Sequence, residues 1–450
     1  MQVLVCMGKG QLEANVFHYT AAMSACEKSG QWQLALTILR TMTELEALPN
    51  VISYNSAISA CEKGRSWQRA LALLGIMIAL HVMPDIISYN SAISACEKGG
   101  SWQCALAILD IMTVRQTLPD VISYNSAISA FEKCCFWQLA FVMLDTMMSL
   151  QVMPDVISCS ATISACHKAG RWQLAFAVLD TMTGLQIMPN VITCSAVISA
   201  CEKGGRWQLA LATLDTMAML RVIPNVFSIN SVISACEKGC HWQLALALLS
   251  TMTMLRIAPD VVSYSAAISA CENRGRWQHA LATLNMMAQN RVKPNAISYN
   301  GAISACEKCG CWELALSLLS IMTDAHSSPN LISYNAAIGA CNKGGHWQRA
   351  LGILGTMRSM RVIPDAISYN SAISACEKSS QWQMALVTLE AMPEIRITPD
   401  VLNYHSAVCA CEKGGCCRRA PVLLDRMMLT QIGHLALSVA SMFAVLPLAA

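Results

Sequence analysis

Polar side chains suited to paired hydrogen bonding recur along this 450-residue chain at two places thirty residues apart. The upstream member is Asn at Asn55, Asn90, Asn125, Asn230, Asn300, Asn335 and Asn370, and Thr or Ser at Thr20, Ser160, Ser195 and Ser265. The downstream member is Asp at Asp85, Asp120, Asp155, Asp260, Asp365 and Asp400, and Asn at Asn50, Asn190, Asn225, Asn295 and Asn330. The choices travel together: Asn is followed by Asp in six of seven cases, Ser or Thr always by Asn. This is recognition chemistry rather than bond-making chemistry. Asp only accepts, whereas Asn donates and accepts, so exchanging them changes which ligand edge is tolerated. The downstream residue is also a good helix N-cap. Capping does not explain why its identity follows a residue thirty positions earlier. A ligand touching both side chains does.

The elements that hold these pairs repeat with them. Eleven prolines from Pro49 to Pro399, all eleven tryptophans from Trp32 to Trp382 and all nine tyrosines from Tyr19 to Tyr404 keep a 35-residue period. Twelve repeats run without insertion from 16–50 to 401–435, so the chain is a stacked array rather than one large core. In repeat 51–85, Tyr54, Ala57, Ile58 and Cys61 form one helical stripe within Ser53–Lys63, and Trp67, Ala70, Leu71, Leu74 and Met77 form a second. Gly64 is expected to stop the first helix, and Pro84 cannot continue the second. Asp85 is then placed to cap the next helix. Ala at places 7, 10 and 20 of the repeat lets the helices approach closely.

Composition narrows the classes. A formal charge of +3 carries no polybasic tail. Of the 23 cysteines, eleven hold place 11 of a repeat, where the remaining repeat has Phe131. That is a small buried slot, not a disulfide framework, and suits a reducing compartment. The extra groups Cys134/Cys135, Cys306/Cys309/Cys311 and Cys409/Cys411/Cys416/Cys417 resemble metal spacings only superficially, so no metal or cofactor is expected. Residues 1–15 end at Asn15, where a repeat should end, and are expected to be the remnant of a preceding one. The uncharged stretch 436–450 is shorter than the ~20 residues that span a bilayer; a capping helix is expected there.

A two-helix repeat of this length, opening V-I-S-Y-N-S-A-I-S-A-C and closing M-x5-V-M-P-D, resembles the pentatricopeptide repeat over residues 16–435. Trp at place 17 is unusual for that family, and the last repeat loses both its Pro and its Asp or Asn at Leu435. The resemblance implies an all-α, right-handed superhelical solenoid of about twelve helix-turn-helix repeats that binds single-stranded RNA, one base per repeat. In the family, places 5 and 35 read the base and place 2 wedges between neighbouring bases. Carried over, the pairs predict 5′-A-U-U-U-A-A-U-A-(C/U)-U-U-3′. His405 with Leu435 falls outside the code.

Two further columns fit an RNA groove. Place 2 is apolar throughout: Phe17, Ile52, Ile87, Ile122, Ile157, Ile192, Phe227, Val262, Ile297, Ile332, Ile367 and Leu402. Packing at a helix entrance and base stacking explain this column equally well. Place 13 is Lys in eleven repeats, Lys28, Lys63, Lys98, Lys133, Lys168, Lys203, Lys238, Lys308, Lys343, Lys378 and Lys413, with Asn273 the exception. It reads either as a helix end paired with the preceding Glu or as a ladder following phosphates. No H-x-E with a matching P-C-x-x-C occurs, and no nucleophile is paired with a base, so no intrinsic enzyme activity is expected. The expected partners are an A/U-rich single strand and an RNA-processing or translation factor, not a small molecule or a membrane. The family's usual chloroplast or mitochondrial setting is implied by the resemblance alone. The alternative is a protein-binding scaffold of tetratricopeptide type.

Overall fold

The structure, a computed structural model, describes residues 16–416 except 46, 326, 395 and 396, together with 421–423 and 425. The expected remnant 1–15 and cap 436–450 lie outside the described residues, as does Leu435. Every regular element among the described residues is an α-helix, two to a repeat, as in Val51–Lys63 and Trp67–Ala79. The first helix starts at Val51, two residues before the apolar stripe suggests, because place 35 caps it. Asn50 Oδ1 accepts the Ser53 N–H at 3.0 Å. At the next junction Asp85 Oδ1 accepts the Ser88 N–H at 2.9 Å, while Ser88 Oγ accepts the Asp85 N–H at 3.2 Å. This reciprocal cap satisfies two amides that a helix start leaves without partners.

The first helix ends at Lys63 with Gly64 as its C-cap, as expected, but the left-handed turn falls one residue later. Gly64 keeps a negative φ of −80°; the left-handed residue is Arg65 at φ 54°. Gly64 serves another purpose as well. A Cβ there would collide with Cδ1 of Trp32 in the preceding repeat, and Gly99 stands in the same relation to Trp67. The tryptophan and this glycine are therefore one contact seen from two sides. Place 16 completes it: the guanidinium groups of Arg171 and Arg206 lie 5.2 and 4.9 Å from the ring centroids of Trp137 and Trp172, within cation–π range.

The chain divides into two compact units, Met1–Val232 and Ile233–Ala450. Within each, the first helix of a repeat packs on its own second helix and on the first helices of its neighbours, and each second helix packs on the following first helix. The core is a column of small and medium side chains. Ala57, Ile58, Ala60, Cys61, Ala70 and Met77 are fully buried, as are their equivalents in the repeats from 86–120 to 366–400, where Phe131 fills the cysteine slot. Burial pushes the thiols of Cys61 and Cys96 up to about 11 and about 12, so at neutral pH they are packing groups rather than nucleophiles. Among the described residues no helix is long and apolar enough to cross a membrane.

Candidate nucleic-acid interface

Places 35, 2, 3 and 5 meet at the start of each first helix, and the cap described above fixes their relative positions. Place 3 points inward: Ser88, Ser123 and Ser298 are fully buried. Place 2 points outward. From Phe17 to Leu402 all twelve of its apolar side chains are between 56% and 78% exposed. Packing at the helix entrance is thereby excluded as the reason for this column, since a packing residue would be covered.

The polar pairs touch each other directly. Asn55 Nδ2 donates to Asp85 Oδ1 at 3.0 Å, Asn90 to Asp120 at 3.1 Å, Asn125 to Asp155 at 3.1 Å and Asn335 to Asp365 at 3.2 Å. Asn300 donates in the same way to Asn330 Oδ1 at 3.2 Å. Asn230 is buried and Asp260 caps its own helix through Ser263 N at 2.9 Å. Burial pushes the Asp85 carboxyl up, but the Ser88 backbone N–H and the Asn55 amide outweigh it and hold the group below its usual range. Asp120, Asp155 and Asp365 are held down by the corresponding donors against the same burial.

Ser or Thr at place 5 is too short to reach place 35 and turns to place 3 of the next repeat instead. Ser160 Oγ lies 2.7 Å from Thr193 Oγ1, Ser195 Oγ 2.6 Å from Ser228 Oγ, Ser265 Oγ 2.8 Å from Ser298 Oγ and Thr20 Oγ1 3.1 Å from Ser53 Oγ. Asn190 and Asn225 still cap through Oδ1, while the amide nitrogens of Asn50, Asn190, Asn225 and Asn295 take no protein partner among the described residues.

The coupling read from the sequence needs correcting on this point. The Asn amide donates to the following Asp within the protein, so that half of the pattern has an internal partner that the sequence did not suggest, and Asn330 accepts the same bond from Asn300. The other half keeps its force. Nothing in the Ser or Thr junctions calls for Asn rather than Asp at place 35, because both cap equally well. The hydroxyls at place 3, Ser53, Ser88, Ser123 and their equivalents, were not singled out from the sequence. The column hardly varies, so it shows no pattern to follow.

At the first junction the side chains line an open cleft of about 520 Å³ formed by Phe17, Thr20, Ala21, Asn50, Ile52 and Ser56, among others. Two successive place-2 residues and both members of a polar pair thus face one space. The lysines lie at the opposite end of the same helix, eight residues and about 12 Å along its axis from place 5. They reach back to the Glu of the preceding repeat: Lys98 Nζ is 2.7 Å from Glu62, Lys133 2.9 Å from Glu97 and Lys63 3.3 Å from Glu27. Lys168, Lys308, Lys343 and Lys413 pair likewise. Where His167 and Asn342 replace that Glu, Lys203 and Lys378 bond their main-chain carbonyls at 3.3 Å. The place-13 column is therefore a row of lysines paired mostly with Glu, and at Lys203 and Lys378 with main-chain carbonyls.

Stacked two-helix repeats that present one polar pair and one exposed apolar residue each define an all-α helical-repeat fold. Family models agree and go further. The pentatricopeptide repeat domain matches residues 3–63, 73–133, 179–238 and 317–379, the PPR repeat family 154–203, 224–273 and 259–308, and the PPR repeat 52–82, 122–152, 297–326 and 367–397. The chain belongs to the pentatricopeptide repeat family. Among solved structures it is similar to the pentatricopeptide repeat protein PPR10 from maize, at 19% identity and a TM-score of 0.47, over 95% of this chain and 71% of that one. PPR10 in complex with an 18-nt psaJ RNA element matches at 20% identity and 0.35, over 93% and 74%. The PPR domain of Arabidopsis thaliana protein-only RNase P 1 in complex with tRNA matches at 15% and 0.35, over 38% and 91%. No curated protein matches the chain.

Proposed function

We propose that this protein binds single-stranded RNA, one base to each junction between repeats, with the order 5′-A-U-U-U-A-A-U-A-(C/U)-U-U-3′. The observation that carries the reading is the exposed place-2 column beside the polar pairs. A dozen apolar side chains left in water at one register serve no purpose in the fold. They suit a row of flat faces that slot between them. At the first junction a single open cleft joins two such side chains to Thr20 and Asn50, as a base held on both faces and read at one edge requires. The pairing of Ser or Thr with Asn, which no contact inside the protein demands, gives second support.

Binding here acts by occupancy: the bound segment is shielded from nucleases, kept out of hairpins, or presented to a processing, splicing, editing or translation factor in an organelle. The protein has no catalytic step of its own in this reading. The lysine row adds attraction for phosphates, moderated by the glutamates that already pair with it. Log affinity should then fall with log salt by less than the ~0.7 per contact of a free ladder. Filter binding with the 11-nt RNA and its complement tests the reading. Tight binding of the first alone is expected. Equal binding of both, or a G-rich consensus from an unbiased selection, would sink it.

A further inference from the structure

We infer that the hydroxyl at place 3 is a positioning residue for base selection, holding the place-5 amide of the preceding repeat in one orientation. The inference rests on the RNA reading above and names what makes its asparagines selective. Ser88 Oγ donates to Asn55 Oδ1 at 2.5 Å, and Ser123, Ser158, Ser333 and Ser368 make the same bond to Asn90, Asn125, Asn300 and Asn335. The amide is thereby held from both ends, its oxygen by Ser and its nitrogen by Asp, or by the Asn330 amide oxygen in the case of Asn300. Turned over, it would set its oxygen against a carboxylate, two acceptors face to face.

A fixed amide has a fixed reading order. It offers its remaining N–H beside the Asp carboxylate, a donor next to an acceptor in one sequence only. Uracil and guanine carry a carbonyl and then an N–H along the edge used in pairing; cytosine and adenine carry an amino group and then a bare ring nitrogen. An amide that cannot turn therefore favours the carbonyl-bearing base, and one that can turn loses part of that preference.

The chain contains its own control. At the eleventh junction place 3 is Asn403. The cap survives, with Asp400 Oδ1 accepting the Asn403 N–H and Asn403 Oδ1 accepting the Asp400 N–H, both at 2.9 Å. The amide network does not. Asn370 Oδ1 and Asn403 Nδ2 are both buried without a partner, and no hydrogen bond joins Asn370 to Asp400 among the described residues. Capping and positioning are thus separable, and only the second needs the hydroxyl. Thr193 shows that threonine also fits the place, bonding Asn190 Oδ1 at 2.8 Å.

The test is equilibrium binding of the full chain to the 11-nt RNA and to copies carrying C at single positions. Ser123→Ala should lower the uracil-over-cytosine ratio at the third base about fivefold, the worth of one hydrogen bond, and leave the second and fourth bases unchanged. Ser123→Thr should restore the ratio. Asn403→Ser should raise it at the eleventh base by a similar factor. An unchanged third-base ratio, an equal loss at every base, or no gain from Asn403→Ser would overturn the inference while leaving RNA binding intact. Wild-type protein that fails to prefer the RNA over its complement would instead overturn the reading beneath it, before any variant is made.

Discussion

Residues 51–158 and residues 160–228 solve the same junction in two ways. The first stretch has three Asn–Asp junctions, in each of which the place-5 amide donates to the place-35 carboxylate and the place-3 hydroxyl donates its one proton to the place-5 amide oxygen. The second has two Ser–Asn junctions, where the hydroxyls of places 5 and 3 bond each other and place 3 bonds the cap. In both, the place-35 side chain caps the helix through the place-3 N–H and the apolar column is exposed, but Asn190 lacks the reciprocal bond made at Asp85, Asp120 and Asp155. The difference arises from side-chain length alone. Asparagine reaches across to place 35 and so requires an acceptor there; serine does not reach, and leaves an amide nitrogen free to donate outward. One face is charged and pre-paired, the other neutral and open.

The largest expected effect falls on what the two stretches share. Replacing Ile87, Ile122 and Ile157 together by alanine should weaken RNA binding by about a hundredfold, at roughly 1 kcal/mol per lost stacking contact. The melting temperature should hardly move, because the residues are exposed. Filter binding with a thermal melt reads both, and an unchanged affinity would show that the column does not meet RNA.

Next in size is the difference itself. Asp120→Ala removes a cap and strands the Asn90 amide, so it should cost about 2 kcal/mol, whereas Asn190→Ala removes only a cap and should cost about 1 kcal/mol. Denaturant unfolding followed by hydrogen exchange over each stretch would compare them. Equal costs would mean that the Asn–Asp bond contributes nothing.

A smaller effect follows from acid. Asp85, Asp120 and Asp155 are held below their ordinary range, so their contribution is fully present above the unfolded value of about 3.9 and is lost as pH falls through the lower folded value. The stretch 156–228 contains no such pair. As pH falls below about 3.9, amide protection should therefore fall at the helix starts after Asp85, Asp120 and Asp155 and hold at those after Asn190 and Asn225. Uniform loss across both stretches would contradict the assignment.

Much of this was legible in the residues. The period gave the repeats, the Tyr54 and Trp67 stripes gave both helices, and Asp85 announced its cap. The rest depended on contacts between repeats, which a linear pattern does not order. Gly64 looks like a helix stop and is the C-cap, yet it also makes room for Trp32 while Arg65 takes the left-handed turn. The pairing of Asn with Asp looked like the mark of a shared ligand until the two side chains were seen to bond each other. Place 3 was silent because it scarcely varies, and its one informative departure, Asn403, acquires meaning only beside the orphaned oxygen of Asn370.

Converting one kind of junction into the other tests the central claim most directly. In a chain carrying Asn90→Ser and Asp120→Asn together, binding should be measured against the 11-nt RNA with each of the four bases at its third position. The account predicts that preference there moves from uracil to adenine, with every other position unchanged. Retention of uracil at the third position, despite a folded protein of unaltered helix content, would show that these side chains do not read the base.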